Sequence, residues 1–138
     1  MRLGLVDEDE EIQAVTNRSF WEERASKQTL AMADEMLEMI RAFAPEFDLK
    51  YNKFYIGLAK DRQPNNFAIF RPKKDFLRLE VTLDRSEEIQ AELDKSGLDV
   101  MDYDVRWRNY RIRLAKGDVD KHKAFLSGLL EQAYADAG

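Results

Sequence analysis

The fold is decided by one stretch, FLRLEVTL, which runs from Phe76 to Leu83. Every second residue in it is aliphatic: Leu77, Leu79, Val81 and Leu83. The residues between them, apart from Phe76, are polar or charged. A period of two is typical of a β-strand that buries one face and leaves the other accessible to solvent. The stretch therefore predicts a strand of a half-buried sheet.

Shorter stretches on both sides of this strand are also predicted to form strands. Upstream, strands are predicted around 47–51, 55–59 and 67–71, with turns at 63–66 and 72–75. Downstream, Tyr110, Ile112 and Leu114 alternate with arginines in a last strand. Because the turns between the upstream strands are too short for a crossover, we expect an antiparallel meander.

Helices are predicted before, within and after these strands. Apolar residues recur at intervals of three and four up to Pro45, with candidate caps at Ser19 and Ser26. A capping box, Asp84 to Glu87, opens a second helix, and Asp118 is expected to cap a third. The predicted fold class is α+β. It comprises an antiparallel meander of about four to five strands with three main helices packed on one face, in the order α-β-β-β-β-α-β-α.

The charge run from Asp7 to Glu11 suggests that the chain begins with a segment outside the folded core. We predict an acidic lead-in or linker over residues 1–17 and a single α+β domain over residues 18–138.

Composition excludes several kinds of chemistry. The 138 residues include no cysteine and one histidine, which excludes disulfides, Cys-based zinc sites and thiol nucleophiles. His122 has no identifiable partner to orient it as a base, so we expect an ordinary solvated histidine. We predict no catalytic residue, no metal and no cofactor. The chain contains neither an apolar run long enough for a bilayer nor a signal peptide, which predicts a cytoplasmic protein that does not bind membranes.

The formal net charge of −5 is unevenly distributed. Residues 1–49 have a net charge of −7, residues 50–85 of +5 and residues 86–138 of −3. Basic and aromatic side chains concentrate on the predicted sheet and its turns. Such a surface suits nucleic acid or an acidic protein surface. The predicted contact residues are Arg71, Lys73, Lys74, Arg78, Trp107, Arg108 and Arg111.

Two other functions remain open. The first is homodimerisation, or docking of a partner domain, through the sheet or an apolar surface on the first helix. Its candidate side chains are Phe20, Trp21, Met32, Met36 and Met39. The second is a divalent-metal-dependent hydrolase that uses Glu80 with Asp99, Asp102 or Asp104. Aspartates that accept hydrogen bonds from the backbone of loops explain the latter three better.

Segments spread over residues 50–135 show a familiar order: 67–74 (FAIFRPKK), 77–81 (LRLEV), Trp107 and 129–134 (LLEQAY). They resemble a bacterial and archaeal domain-of-unknown-function family labelled "predicted transport protein". The resemblance implies an accessory domain, commonly joined to restriction-type or other nuclease modules, and it brings no catalytic residue. The chain departs from the family pattern at Arg108-Asn109, where relatives tend to have glycine.

Overall fold

In the computed structural model, residues 16–137 are described, and they contain one seven-stranded antiparallel sheet. The strand order is β1-β2-β4-β5-β7-β6, and β3 pairs with β2 beside this path. The strands are β1 (Phe47–Tyr51), β2 (Ile56–Lys60), β3 (Gln63–Pro64), β4 (Ala68–Pro72), β5 (Leu77–Thr82), β6 (Asp99–Val100) and β7 (Asn109–Leu114).

Five helices accompany the sheet in the described part of the chain. They are α1 (Arg18–Arg24), α2 (Lys27–Phe43), α3 (Glu87–Ser96), α4 (Asp118–Lys121) and α5 (Lys123–Ala137). None of these helices is long and apolar enough to cross a bilayer. The predicted α+β class is confirmed. The predicted segment 1–17 lies outside the described residues except for its last two, and the domain boundary stays a prediction.

Strand β5 occupies the middle of the sheet, as its alternation suggests. Leu79 lies opposite Phe70 of β4 and Ile112 of β7, and all three side chains are fully buried. The expected four to five strands correspond to the five strands of five or six residues. The two-residue strands β3 and β6 were missed, because so short a segment carries no periodicity.

The helix caps differ in part from the sequence prediction. Ser26 caps α2 in a reciprocal box with Thr29, which confirms one candidate. Ser19 lies inside α1, whose cap is Asn17. The backbone N–H of Phe20 therefore donates to Asn17, two positions before the predicted cap.

The caps of the next two helices also differ from the prediction, by two residues for α3 and by one residue for α4. Ser86, and not Asp84, caps α3 by accepting from the backbone N–H groups of Glu88 and Ile89. The cap position of α4 is Gly117, and the Asp118 carboxylate instead accepts from the backbone of Ala115.

The helices cover one face of the sheet and share a single core with it. This core takes the inward side chains of the strands and the buried stripes of α2, α3 and α5. Phe47, Phe67 and Tyr134 meet edge to face there, with ring centroids 5.5–5.7 Å apart. Because strand side chains alternate, the remaining residues of β4, β5 and β7 project to the opposite face, which we call the open face.

Candidate functional site

Four arginines lie together on the open face, and we call Arg71, Arg78, Arg111 and Arg113 the arginine cluster. Strand register creates it. Arg71 of β4 is opposite Arg78 of β5, which is opposite Arg113 of β7. Arg111 is opposite Glu80. Like charges directly across a ladder destabilise a sheet unless counter-charges compensate them.

Glu80 supplies part of that compensation. Its side chain is only 7% exposed, and Oε2 accepts from Arg71 Nε at 2.8 Å and from Arg78 Nε at 2.9 Å. Asp99 pairs more loosely with Arg113, at 3.8 Å. Four guanidinium groups thus face two carboxylates, which leaves this part of the open face with a net charge of +2.

Several guanidinium donors of the cluster have no partner among the described residues. Arg78 makes no hydrogen bond there besides the one to Glu80. Arg71 also donates to the Phe54 carbonyl at 3.1 Å, and its guanidinium lies 5.7 Å from the centre of the Tyr55 ring. Since arginine carries five N–H donors, both side chains can still bind an anion while Glu80 fixes their orientation.

A cavity of about 420 Å³ opens beside the arginine cluster. We call it the open-face cavity, and it is lined by Tyr55, Asn66, Ile69, Arg71, Glu80, Thr82, Trp107 and Asn109. The absence of a side chain at Gly57 leaves space for two of these lining residues, Asn66 and Tyr55. A Cβ at this position would lie 2.5 Å from Asn66 Oδ1 and 3.1 Å from the Tyr55 ring. Asn66 Oδ1 in turn accepts from the Leu58 backbone at 2.7 Å.

Trp107 forms the outer rim of the cavity, in the loop before β7. It is 63% exposed, and its backbone N–H donates to Asp104 Oδ1. Arg108 follows with φ of 58°, the left-handed conformation in which glycine is more usual. The Arg108 side chain pairs with Asp84 at 2.8 Å.

A family model describing a domain of unknown function, DUF5655, matches residues 18–137. The chain belongs to this family. No curated protein and no solved structure gives a significant match. The expected resemblance to a domain of unknown function is thus confirmed. Nothing in these comparisons supports the transport label or an association with nuclease modules.

The seven contact residues predicted for this DUF5655 domain fall into separate places. Arg71, Arg78 and Arg111 lie together on the open face, and Trp107 and Arg108 lie at the end of the sheet where β5 stops. The other two, Lys73 and Lys74, lie on the β4–β5 turn at the opposite end of the sheet. The length of β5, about 17 Å, separates the two ends. Lys74 Nζ donates there to the Glu23 carbonyl of α1.

Some lining residues of the cavity were not among the predicted contacts. Thr82 shares a strand face with Arg78 and Glu80, so period-two alternation already placed it beside them. Asn66 and Asn109 were interpreted only as turn residues. Nothing in the local sequence indicates that β7 lies next to β5 and so brings Asn109 to Thr82.

The alternative sites gain little support in the DUF5655 domain. Among residues 16–137, no three acidic or histidine side chains come close enough to hold a metal ion. Of the five side chains suggested for an apolar docking surface, Phe20 is partly buried against the core, and the others are buried in it: Trp21, Met32, Met36 and Met39. Homodimerisation through other surfaces stays a prediction.

Proposed function

We propose that this DUF5655 domain is a non-catalytic binding module whose open face binds single-stranded nucleic acid. One observation carries the proposal: a cluster of four arginines, with a net charge of +2 after its carboxylate partners, lies beside a cavity walled by two aromatic side chains. Guanidinium groups pair with phosphate, and aromatic rings stack on bases.

An unpaired strand suits this surface better than a duplex. The Tyr55 and Trp107 rings can stack only on bases that are exposed, and in a duplex the base faces are covered by their neighbours. The arginine cluster spans three adjacent strands, about 10 Å across, which is wide enough for two or three successive phosphates of a single strand.

Fluorescence anisotropy with a short labelled oligonucleotide tests the proposal. We expect the single strand to bind more tightly than a duplex of the same length. We also expect its affinity to fall as salt rises, because bound phosphates release counterions. The double variant Arg78→Ala/Arg111→Ala should make the slope of log K against log salt less steep by about 1.4, since each lost phosphate contact accounts for about 0.7.

The matched control is Lys95→Ala/Lys121→Ala, which removes the same charge from exposed positions on α3 and α4. This control should bind like the parent protein. The proposal is contradicted if no binding appears at tens of micromolar protein, or if the duplex binds as tightly as the single strand. Equal affinity for an acidic peptide of the same charge would contradict it as well.

A further inference from the structure

We infer that the open-face cavity holds one unstacked base of the bound strand, with Trp107 as its stacking partner. This inference rests on the proposed function and names the part of the ligand that the cavity recognises. The arginine cluster accounts for contacts to phosphate only. It leaves unused the adjoining cavity, whose lining combines two aromatic side chains with several polar ones.

The size of the cavity fits this role. Its volume of about 420 Å³ lies within the range of ligand sites, roughly 300–1,000 Å³. It can take one heterocycle with its sugar. Arg71 belongs to both the arginine cluster and the cavity wall, so a base inside the cavity would remain connected to a phosphate beside Arg71.

The floor of the cavity presents a hydrogen-bond acceptor next to a donor. Asn109 Oδ1 accepts from the Thr82 hydroxyl at 2.8 Å, which directs Asn109 Nδ2 towards Glu80 Oε1, 3.4 Å away. One oxygen of the Glu80 carboxylate therefore accepts from the arginines and the other accepts from Asn109, and both residues line the cavity. The edge of a nucleobase displays adjacent donor and acceptor groups, whereas a deoxyribose–phosphate backbone displays acceptor oxygens and no donor.

The walls favour a flat ligand. The Tyr55 ring is held against β2 by the absence of a side chain at Gly57, and the Arg71 guanidinium lies over its face. Trp107 is the most exposed aromatic side chain among the described residues, although it lines a cavity. The Arg106 guanidinium lies 5.3 Å from the centre of the Trp107 ring, and Trp107 is still 63% exposed, so a base that stacks on the indole would cover apolar surface that is now open to solvent.

The test compares a short single strand with an abasic strand of the same length, which keeps every phosphate. The parent protein should bind the abasic strand roughly tenfold more weakly, as expected for the loss of one stacked base. Trp107→Ala should weaken binding of the normal strand by a similar factor and leave binding of the abasic strand unchanged. Val105→Ala, which removes another exposed apolar side chain from the same loop, should change neither affinity.

Tryptophan fluorescence gives an independent readout, because Trp21 is buried and Trp107 is exposed. We expect the normal strand to quench the emission and the abasic strand to leave it unchanged. Equal affinity for the two strands, or equal weakening of both by Trp107→Ala, would overturn the base pocket while the proposed function stands. Absence of binding to either strand would overturn the proposed function itself.

Discussion

At the scale of single residues, Glu80 has the greatest structural importance on the open face. It is a buried carboxylate whose one oxygen holds two arginines of neighbouring strands. Removing one partner of a buried ion pair leaves the remaining charges uncompensated. Because Arg71 and Arg78 are still partly exposed, the cost should lie below that of a fully buried pair.

We expect Glu80→Ala to lower the free energy of unfolding by about 2–3 kcal/mol, measured by urea denaturation. Glu92→Ala, on the exposed side of α3, serves as the control and should change it by less than about 0.5 kcal/mol. If both variants are equally stable, Glu80 does not organise the arginines as described.

Glu35 gives the protein a pH dependence that acts in the opposite direction to that of most carboxylates. Partial desolvation raises the pKa of this exposed side chain, and the nearby Asp120 carboxyl raises it further, while Lys123 opposes the change. The folded chain therefore holds this proton at pH values where the unfolded chain has lost it. The stabilising contribution is present below the ordinary pKa of glutamate and is lost as the pH rises through the raised value.

We expect Glu35→Gln to raise the Tm at neutral pH and to change it much less at about pH 4, where the parent side chain is protonated. Thermal unfolding across this range, followed by circular dichroism, measures the effect. If Glu35→Gln changes the Tm equally at pH 4 and at neutral pH, the ionisation of Glu35 beside Asp120 does not affect stability.

At the scale of elements, the sequence predicts best where local physics decides the outcome. The alternation of β5, the amphipathic stripe of α2 and the Ser26 cap all depend on neighbours within a few residues. The caps at Ser19 and Asp84 were wrong because several polar residues compete near each helix start. Local sequence does not show which of them adopts the extended cap conformation.

Variants of two serines distinguish the confirmed cap, Ser26, from the wrongly predicted one, Ser19. Ser26→Ala should cost about 1 kcal/mol, because the backbone donor of Thr29 loses its acceptor, and Ser26→Asp should restore most of it. Ser19→Ala should be neutral or slightly stabilising, since alanine is the better helix former inside α1. Urea denaturation of the three variants checks this, and a larger loss for Ser19→Ala than for Ser26→Ala would refute the assignment.

At the scale of the whole molecule, the functional surface combines segments that differ in net charge. The sequence indicated a basic region over 50–85, and that region does supply Arg71 and Arg78. The other half of the arginine cluster, Arg111 and Arg113, comes from a segment with a net charge of −3. The two halves of the cluster come together because β7 pairs with β5, although helix α3 and strand β6 lie between these strands in the sequence.

The predicted contact residues lie towards both ends of the sheet. Lys73 and Lys74 lie on the turn next to the Arg71–Arg78 pair, and the length of β5 separates them from Trp107 and Arg108 at the other end of the sheet. The acidic side chains of α2 belong to the helix layer, and screening limits their field to about 8 Å at physiological salt. A protein with a net charge of −5 can therefore present a local surface that attracts anions.

The most direct test of this surface is a backbone-amide NMR titration of the full chain with a short single-stranded oligonucleotide. We predict that shift changes concentrate on the open face and its rim, with α2 and α5 unchanged. The affected signals should include Ile69, Arg71, Glu80, Thr82, Asn109, Arg111 and the Trp107 indole. Changes confined to the helix layer, or to the Lys73–Lys74 turn, would contradict the assignment of the open face as the binding surface.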